Sequence, residues 1–408
     1  MMTILQDYAE FEGLHWETGS LRNHLAYRGV TAPHTGAPYS EAMLMGVSGG
    51  AVMGYFSFSY KGYDPHVRIL TRNTFDPVDT ILSRLGVVQN IRHTTKEEKG
   101  RANLLDTLQD GLPAIVWADM YSLPYNALPQ DEGMWAMFPI VVYGFDPEAG
   151  TAWTADRARV PLTVTSEELE FARARVKKVK YRVLTLEPPI PDKLPAAVQQ
   201  GIQDCIALYT EAPPKGAKDS FGFAAYERWA DVLTKPTTRL SWEKEFAPGP
   251  KMYAGLTSAF TDIMLFGKDG GAERDLYADF LEEASTVLDN AALREVAQGF
   301  RASAEAWNGL ARALLPAEVP PFGETRELML RRHRLFLEQG GAALAEIELI
   351  DARLAEIKAA VGDAFPLDQG EVTAMRENLA AHVMEIHGIE KRAITALQEA
   401  MEARPSII

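Results

Sequence analysis

Residues 13–62 read GLHWETGSLRNHLAYRGVTAPHTGAPYSEAMLMGVSGGAVMGYFSFSYKG. The segment predicts helix, helix, strand. His15-Trp16-Glu17-Thr18 opens the first helix, with Thr18 as its cap, Leu21 and Leu25 on one face, and Gly29 where a left-handed stop belongs. The second helix begins at Ser40-Glu41, with serine as cap and glutamate in the first turn. Gly46, Gly49 and Gly50 then break the chain, and Val52, Tyr55, Phe56, Phe58 and Tyr60 follow as an aromatic strand near period two.

Outward from this segment the first half alternates strands and helices. Strands are expected at 67–70, 87–92, 113–119, 138–143, 152–157 and 181–186, with a turn at Gly144-Phe145-Asp146. Asp76-Pro77 opens a helix whose apolar side is Ile81, Leu82 and Leu85, and residues 95–110 form another with Leu104, Leu105 and Leu108 inward. Thr165-Ser166-Glu167-Glu168 has capping-box spacing and starts a helix over 166–178. Pro188, Pro189 and Pro191 then mark a linker, since proline neither joins a sheet interior nor continues a helix. Beyond it helices are expected at 193–211, 220–234, 252–266, 272–289, 291–315, 325–361 and 369–403. The last two carry apolar stripes, Leu337 to Val361 and Met375 to Met401, and read as an antiparallel hairpin joined at Gly362–Pro366. Such stripes pack on their own domain or serve as a dimerisation arm. The expected domains are therefore 1–187 (α/β), 188–323 (all-α) and 324–408 (long helical hairpin).

The chain has 408 residues and a formal net charge of −15, which repels phosphate backbones and anionic lipid and argues against nucleic-acid or membrane-surface partners. No apolar run reaches spanning length, and MMTILQDYAEFEG has no signal-peptide pattern, so a cytoplasmic location is expected. Cys205 is the only cysteine, which excludes an internal disulfide and a cysteine-based metal site. Gly46-Val47-Ser48-Gly49-Gly50 has no Walker lysine and no G-x-G-x-x-G pattern, and no cofactor is expected. His15-Trp16-Glu17 is an isolated H-x-E, and His382, Glu385 and His387 read as a helix face rather than a metal site.

The pattern His15, Thr18, Leu21, Ser40-Glu41, Met43-Leu44, Gly46, Gly50 and Tyr55-Phe56 resembles the N-terminal domain of the butirosin-biosynthesis acyltransferase family (BtrH-like). Phe221-Gly222, Trp229-Ala230, the 267–271 loop and Leu276–Glu283 resemble the helical domain of unknown function that follows it in that family. The resemblance implies a papain-like, C39-like fold. It also implies transfer of an acyl or aminoacyl group from a carrier protein to an amine in natural-product biosynthesis. It places the nucleophilic cysteine at Trp16, the histidine at Phe138 ahead of Pro139–Asp146, and the orienting carboxylate at Asp156, followed by Arg157. Glu10 stands six residues before Trp16, where papain-like enzymes have an oxyanion glutamine.

A papain-like centre needs a thiolate at a helix N-terminus, a histidine to take its proton and a group to orient the histidine. Tryptophan and phenylalanine supply neither of the first two, and Glu10 would repel an oxyanion. Cys205 lies in an apolar helical context beyond the linker and reads as packing. Ser20 has no evident base, and His15 and His24 are structural or act as a base toward a bound substrate. The expected site is a repurposed cleft that binds a small-molecule or peptide intermediate. Trp16, Glu17, Thr18, Ser20, Phe138 and Arg157 would contact the ligand, and His15 and Asp156 would carry any residual acid–base chemistry. Two alternatives stand beside it: an acyltransferase-like or amide-forming enzyme without a covalent intermediate, and a pseudoenzyme paired with an active homologue. A carrier protein, or a second copy docked through 324–408, would be the macromolecular partner.

Overall fold

The structure is a computed structural model and describes residues 3–128, 134–211, 218–266 and 270–403. In chain order its strands are β1 (Thr3–Ile4), β2 (Ala51–Phe58), β3 (His66–Arg72), β4 (Gln89–Arg92), β5 (Ala114–Asp119), β6 (Met137–Asp146), β7 (Thr151–Ala155), β8 (Leu162–Thr165) and β9 (Val183–Leu186). The helices of the N-terminal half are α1 (Trp16–Tyr27), α2 (Glu41–Val47), α3 (Pro77–Arg84), α4 (Glu97–Gln109) and α5 (Ser166–Ala174). Those that follow are α6 (Leu194–Thr210), α7 (Gly222–Thr234), α8 (Trp242–Glu245), α9 (Pro250–Met264), α10 (Arg274–Val287), α11 (Ala292–Leu314), α12 (Pro320–Gln339), α13 (Leu344–Asp363) and α14 (Gln369–Glu402). No helix among the described residues is long and apolar enough to cross a membrane.

The chain forms two compact units. The first contains residues 1–44, 78–194 and 331–350; the second contains 45–77, 195–330 and 351–408. The first is built on an antiparallel sheet in the order β4-β9-β5-β6-β7-β8, to which β1 adds beside β6. The last eight residues of β6 are all buried, so both faces of the sheet are covered there. α1 is tied to this sheet by Ser20, whose hydroxyl donates to the Pro139 carbonyl at 2.9 Å, and by His24, whose Nε2 accepts the Leu186 N–H at 3.0 Å.

His24 is fully buried, and burial together with the Arg28 charge pulls its pKa from 6.5 down to about 4. The neutral ring belongs to the fold, which settles His24 as structural. The unfolded chain protonates this histidine near pH 6.5, whereas the folded chain resists protonation until about pH 4. Its contribution is therefore intact above pH 6.5 and is lost as pH falls toward 4. The loss should amount to about 3 kcal/mol at ~1.4 kcal/mol per pKa unit. Urea midpoints measured from pH 7.5 to 4.5 should show that fall, and His24→Gln should flatten it.

The second unit packs α10 and α14 on α11, α14 also on α7, and the β2–β3 hairpin against α7 and α9. The hairpin's outer edge at β3 does not stay open: Ser258 accepts the Val67 N–H at 3.0 Å and Asp262 accepts the Ile69 N–H at 2.7 Å. At its centre Glu390 of α14 is fully buried. It accepts from Tyr209 and Tyr226 (2.6 Å each), Ser303 (2.6 Å), Trp307 (3.0 Å) and Arg274 (2.7 Å). Of the stripe read on α14, Leu379, Ile386, Ala393 and Leu397 are buried, whereas Met375 and Met401 are half-buried.

Several local expectations change. Thr18 is not the cap of α1, which starts at Trp16 with His15 in the cap position. Gly46 does not break the chain but stays helical in α2, where a Cβ would run into the Phe280 ring; the turn falls at Gly49 and Gly50, both at positive φ. The turn expected at 144–146 is instead the end of β6, held in the sheet by β1 and β7. The helix expected over 166–178 ends at Ala174. The single helix expected over 325–361 is two, separated at Gly340. Ser40 does cap α2 through the Met43 N–H, Thr165 and Glu168 form the capping box, and Gly29 is left-handed at φ 70°. Of the 267–271 loop, residues 267–269 lie outside the described residues.

Candidate functional site

The start of α1 is fixed from α2. The buried carboxylate of Glu41 accepts the N–H groups of Leu14 (2.9 Å) and His15 (3.0 Å) and the hydroxyl of Thr18 (3.1 Å). It thereby satisfies backbone donors that no cap side chain reaches. The His15 Nδ1 lies 3.7 Å from the same carboxylate, and the residue is 2% exposed. Asn23 accepts the Gly13 N–H, and Arg22 binds Glu10 and Glu12. Glu10 is thus engaged by a guanidinium two turns into the helix.

Held in this way, Trp16 is the first residue of α1 and only 4% exposed. Its ring stacks on Phe138 of β6 at 4.1 Å between centroids, with 16° between planes. The Arg157 guanidinium lies over the same indole, 4.1 Å from its centroid, and also over the ring of Phe336, at 4.8 Å. Arg157 is aimed by its neighbours. Asp156 accepts from its backbone N–H (2.7 Å) and its Nε (3.3 Å), and Asn126 accepts from its Nη2 (2.5 Å). The other Asp156 oxygen accepts from the Tyr125 hydroxyl at 3.2 Å. Burial, with the Asp156 charge beside it, pushes the Tyr125 phenol well above its ordinary pKa, so this proton stays on the tyrosine.

The structure therefore brings Trp16, Phe138, Asp156 and Arg157 together. Thr18 and Ser20 follow Trp16 by two and four residues, but their hydroxyls are already donated to Glu41 and to the Pro139 carbonyl. Glu17 sits half-buried in the first turn of α1. His93 is exposed just beyond β4, which is separated from β6 in the sheet by β9 and β5. Cys205 is buried in the second unit, where its Sγ–H donates to the Ala51 carbonyl and burial pushes its pKa up to about 12. Such a thiol is inert at neutral pH. Among the described residues no group of three or more His, Cys, Asp and Glu is placed to hold a metal ion. His387 instead packs its ring on Phe223 and Tyr226.

Four residues of the site were not read from the sequence: Glu41 as the anchor of α1, Tyr125 and Asn126 as supports of Asp156 and Arg157, and Phe336. Glu41 showed itself as a first-turn acid and a position of the family pattern, not as a partner of α1. Phe336 lies 179 residues after Arg157 (336 − 157) and carries no local signature that ties it to that residue.

Residues 15–157 match the family model described as butirosin biosynthesis protein H, N-terminal, and residues 167–327 match a domain of unknown function (DUF4872). No curated protein matches the chain.

Proposed function

From a chain that joins a butirosin biosynthesis protein H N-terminal domain to a DUF4872 domain, we propose a biosynthesis-associated, acyltransferase-like protein that has given up acyl-enzyme chemistry and works by binding. The observation that carries this is the Trp16–Phe138 stack with Arg157 over it. In a papain-like centre those positions would hold a thiolate and the imidazolium that forms beside it. Here an electron-rich indole stands at the first and a permanent guanidinium lies against it, an attraction that needs no proton transfer. Asp156, which would orient a histidine, orients Arg157 instead. Neither an indole nor a phenyl ring can accept an acyl group, and Cys205 is buried with a pKa of about 12. Incubation with an N-acetylcysteamine thioester should leave the intact protein mass unchanged and the thioester hydrolysing at the buffer rate. Turnover above that rate would sink the reading.

The variant Trp16→Cys/Phe138→His should rebuild the lost pair. Its thiol would sit at the N-terminus of α1, with a histidine opposite and Arg157 at hand. All three favour the thiolate. Thiolate absorbance at 240 nm, against a Trp16→Ser/Phe138→His control, should titrate below pH 7. A midpoint at or above that of a free thiol, about 8.5, would mean that these positions are not the family's catalytic pair.

A non-covalent ligand is the companion reading. Arg157 favours it, because a guanidinium presented beside aromatic rings recognises planar rings and carboxylates.

A further inference from the structure

The site has a cover made from its own chain. Residues 331–350 belong to the same compact unit as the sheet, although they follow it by more than a hundred residues and lie beyond both matched ranges. The last turn of α12 lays Phe336, 5% exposed, against Arg157 and within 6.4 Å of Tyr125. Arg332, one turn earlier, donates to the carbonyls of Asn126 (3.1 Å) and Ala127 (3.2 Å). The Arg159 N–H donates to the Leu337 carbonyl at 2.8 Å, capping a helix end that would otherwise face water. The chain then turns at Gly340, with φ +52°. A Cβ there would stand 2.5 Å from Leu162 and 3.0 Å from Val160, so only glycine lets the turn sit down on β8.

These contacts all converge on the residues around Arg157: Asn126 and Ala127 before it, Arg159 to Leu162 after it. Other positions of the segment face water. Arg331, Arg334, Glu338, Gln339, Gly341 and Ala342 are exposed, and Leu349 is 73% exposed. Of residues 331–343 only Leu335, Phe336, Gly340 and Ala343 are buried, so opening this stretch exposes three apolar side chains and gives up the bonds made by Arg332 and to Leu337.

We propose that residues 331–343 form an intramolecular strap, latched by Phe336 and Arg332, which closes the Trp16–Arg157 site at rest and opens by local unfolding to admit a ligand. Phe336 takes the place on Arg157 where a ligand's planar ring or carboxylate would lie, so the strap and the ligand compete for one guanidinium face. This regulates the site proposed above and rests on that reading of where the site is. Opening of the strap is measurable without any ligand, so its failure and the failure of the binding reading are distinct results.

The lone buried cysteine makes the test clean. In Leu335→Cys/Cys205→Ser the only thiol lies in the strap, beside the intact Phe336. Its labelling by 5,5′-dithiobis(2-nitrobenzoate) should be at least tenfold faster than that of Cys205 in the wild-type chain. It should also be insensitive to low urea, as local opening is. Adding Phe336→Ala should speed it a further tenfold, and adding Arg332→Ala should speed it severalfold. Labelling as slow and as urea-dependent as that of Cys205, or unmoved by Phe336→Ala, would overturn the strap. Hydrogen exchange on the wild-type chain gives a second measurement that needs no folded variant. Amides of 332–343 and of Arg159 should exchange together, well before those of β5 and β6. Exchange of 332–343 only with β6 would make the segment fixed core and overturn the proposal.

Discussion

Glu390→Ala should destabilise the chain by about 3–5 kcal/mol, the usual cost of leaving one member of a buried ion pair without its partner. Set against a total stability of about 5–15 kcal/mol for a folded protein, that is enough to cut soluble yield sharply. Arg274 is fully buried, and among the described residues its acceptors besides Glu390 are neutral, the carbonyls of Thr71, Ala272 and Val52 and the phenol oxygens of Tyr209 and Tyr226. None of these cancels its charge. The same substitution removes the acceptor of two tyrosines, a serine and a tryptophan. Glu390→Leu/Arg274→Met should recover part of the loss, since it removes the stranded charge. It should not recover all of it, because the hydroxyls of Tyr209 and Tyr226 would still lack an acceptor. A loss below about 1 kcal/mol for Glu390→Ala, by urea unfolding, would show that the cluster does not hold α14 in place.

Acid should reveal the same group. Burial alone would raise the Glu390 pKa, but the Arg274 charge and the bonds donated by Arg274, Ser303 and Tyr209 outweigh it and hold the carboxyl at about 2. In the unfolded chain the ordinary value is 4.5. The stabilisation is therefore complete above pH 4.5 and is lost as pH falls toward 2. That window lies below the one set by His24, so acid unfolding should proceed in two pH ranges, the first near 6.5 to 4 and the second below 4.5.

Trp16→Ala should cost about 3–5 kcal/mol, as emptying a buried tryptophan site does. The indole is 4% exposed and carries both the Phe138 stack and the Arg157 guanidinium. Phe138 is half-buried, so Phe138→Ala should cost less, and Arg157→Met should lose the cation–ring attraction but keep much of the packing. A Trp16→Ala loss under about 1.5 kcal/mol in urea, well below that cavity range, would mean that the ring lines an open cleft instead of filling a closed one. The strap sharpens this test. With Phe336 in place the Trp16 site is closed and the full cavity cost is due.

Much of this was legible because some signals are local. The capping box at Thr165 and Glu168, the serine cap at Ser40, the left-handed stop at Gly29 and the apolar core strands β5 and β6 each depend on residues within a few positions of one another. The local readings that failed were overruled by distant partners. Thr18 had the chemistry of a cap, but Glu41 supplied the acceptor, 23 residues on. Gly144 had the chemistry of a turn, but it lies within β6, paired with Ile4 of β1 and Trp153 of β7. Gly46 looked like a break, yet its missing Cβ is what lets a helix meet Phe280.

The sequence by itself determined the family pattern, the lack of a cysteine at position 16 and the aromatic character of positions 16 and 138, since these are matters of residue identity. Only the tertiary structure decided that Arg157 would lie on Trp16, that Asp156 would aim a guanidinium, and that Phe336 would close the arrangement from 179 residues away (336 − 157). It likewise decided that α14 would spend its apolar stripe on its own chain around Glu390. The physical reason is common to both cases. A cation inside a protein is stable only where charge, ring faces and hydrogen-bond acceptors converge on it in three dimensions, and no spacing along the chain encodes that convergence.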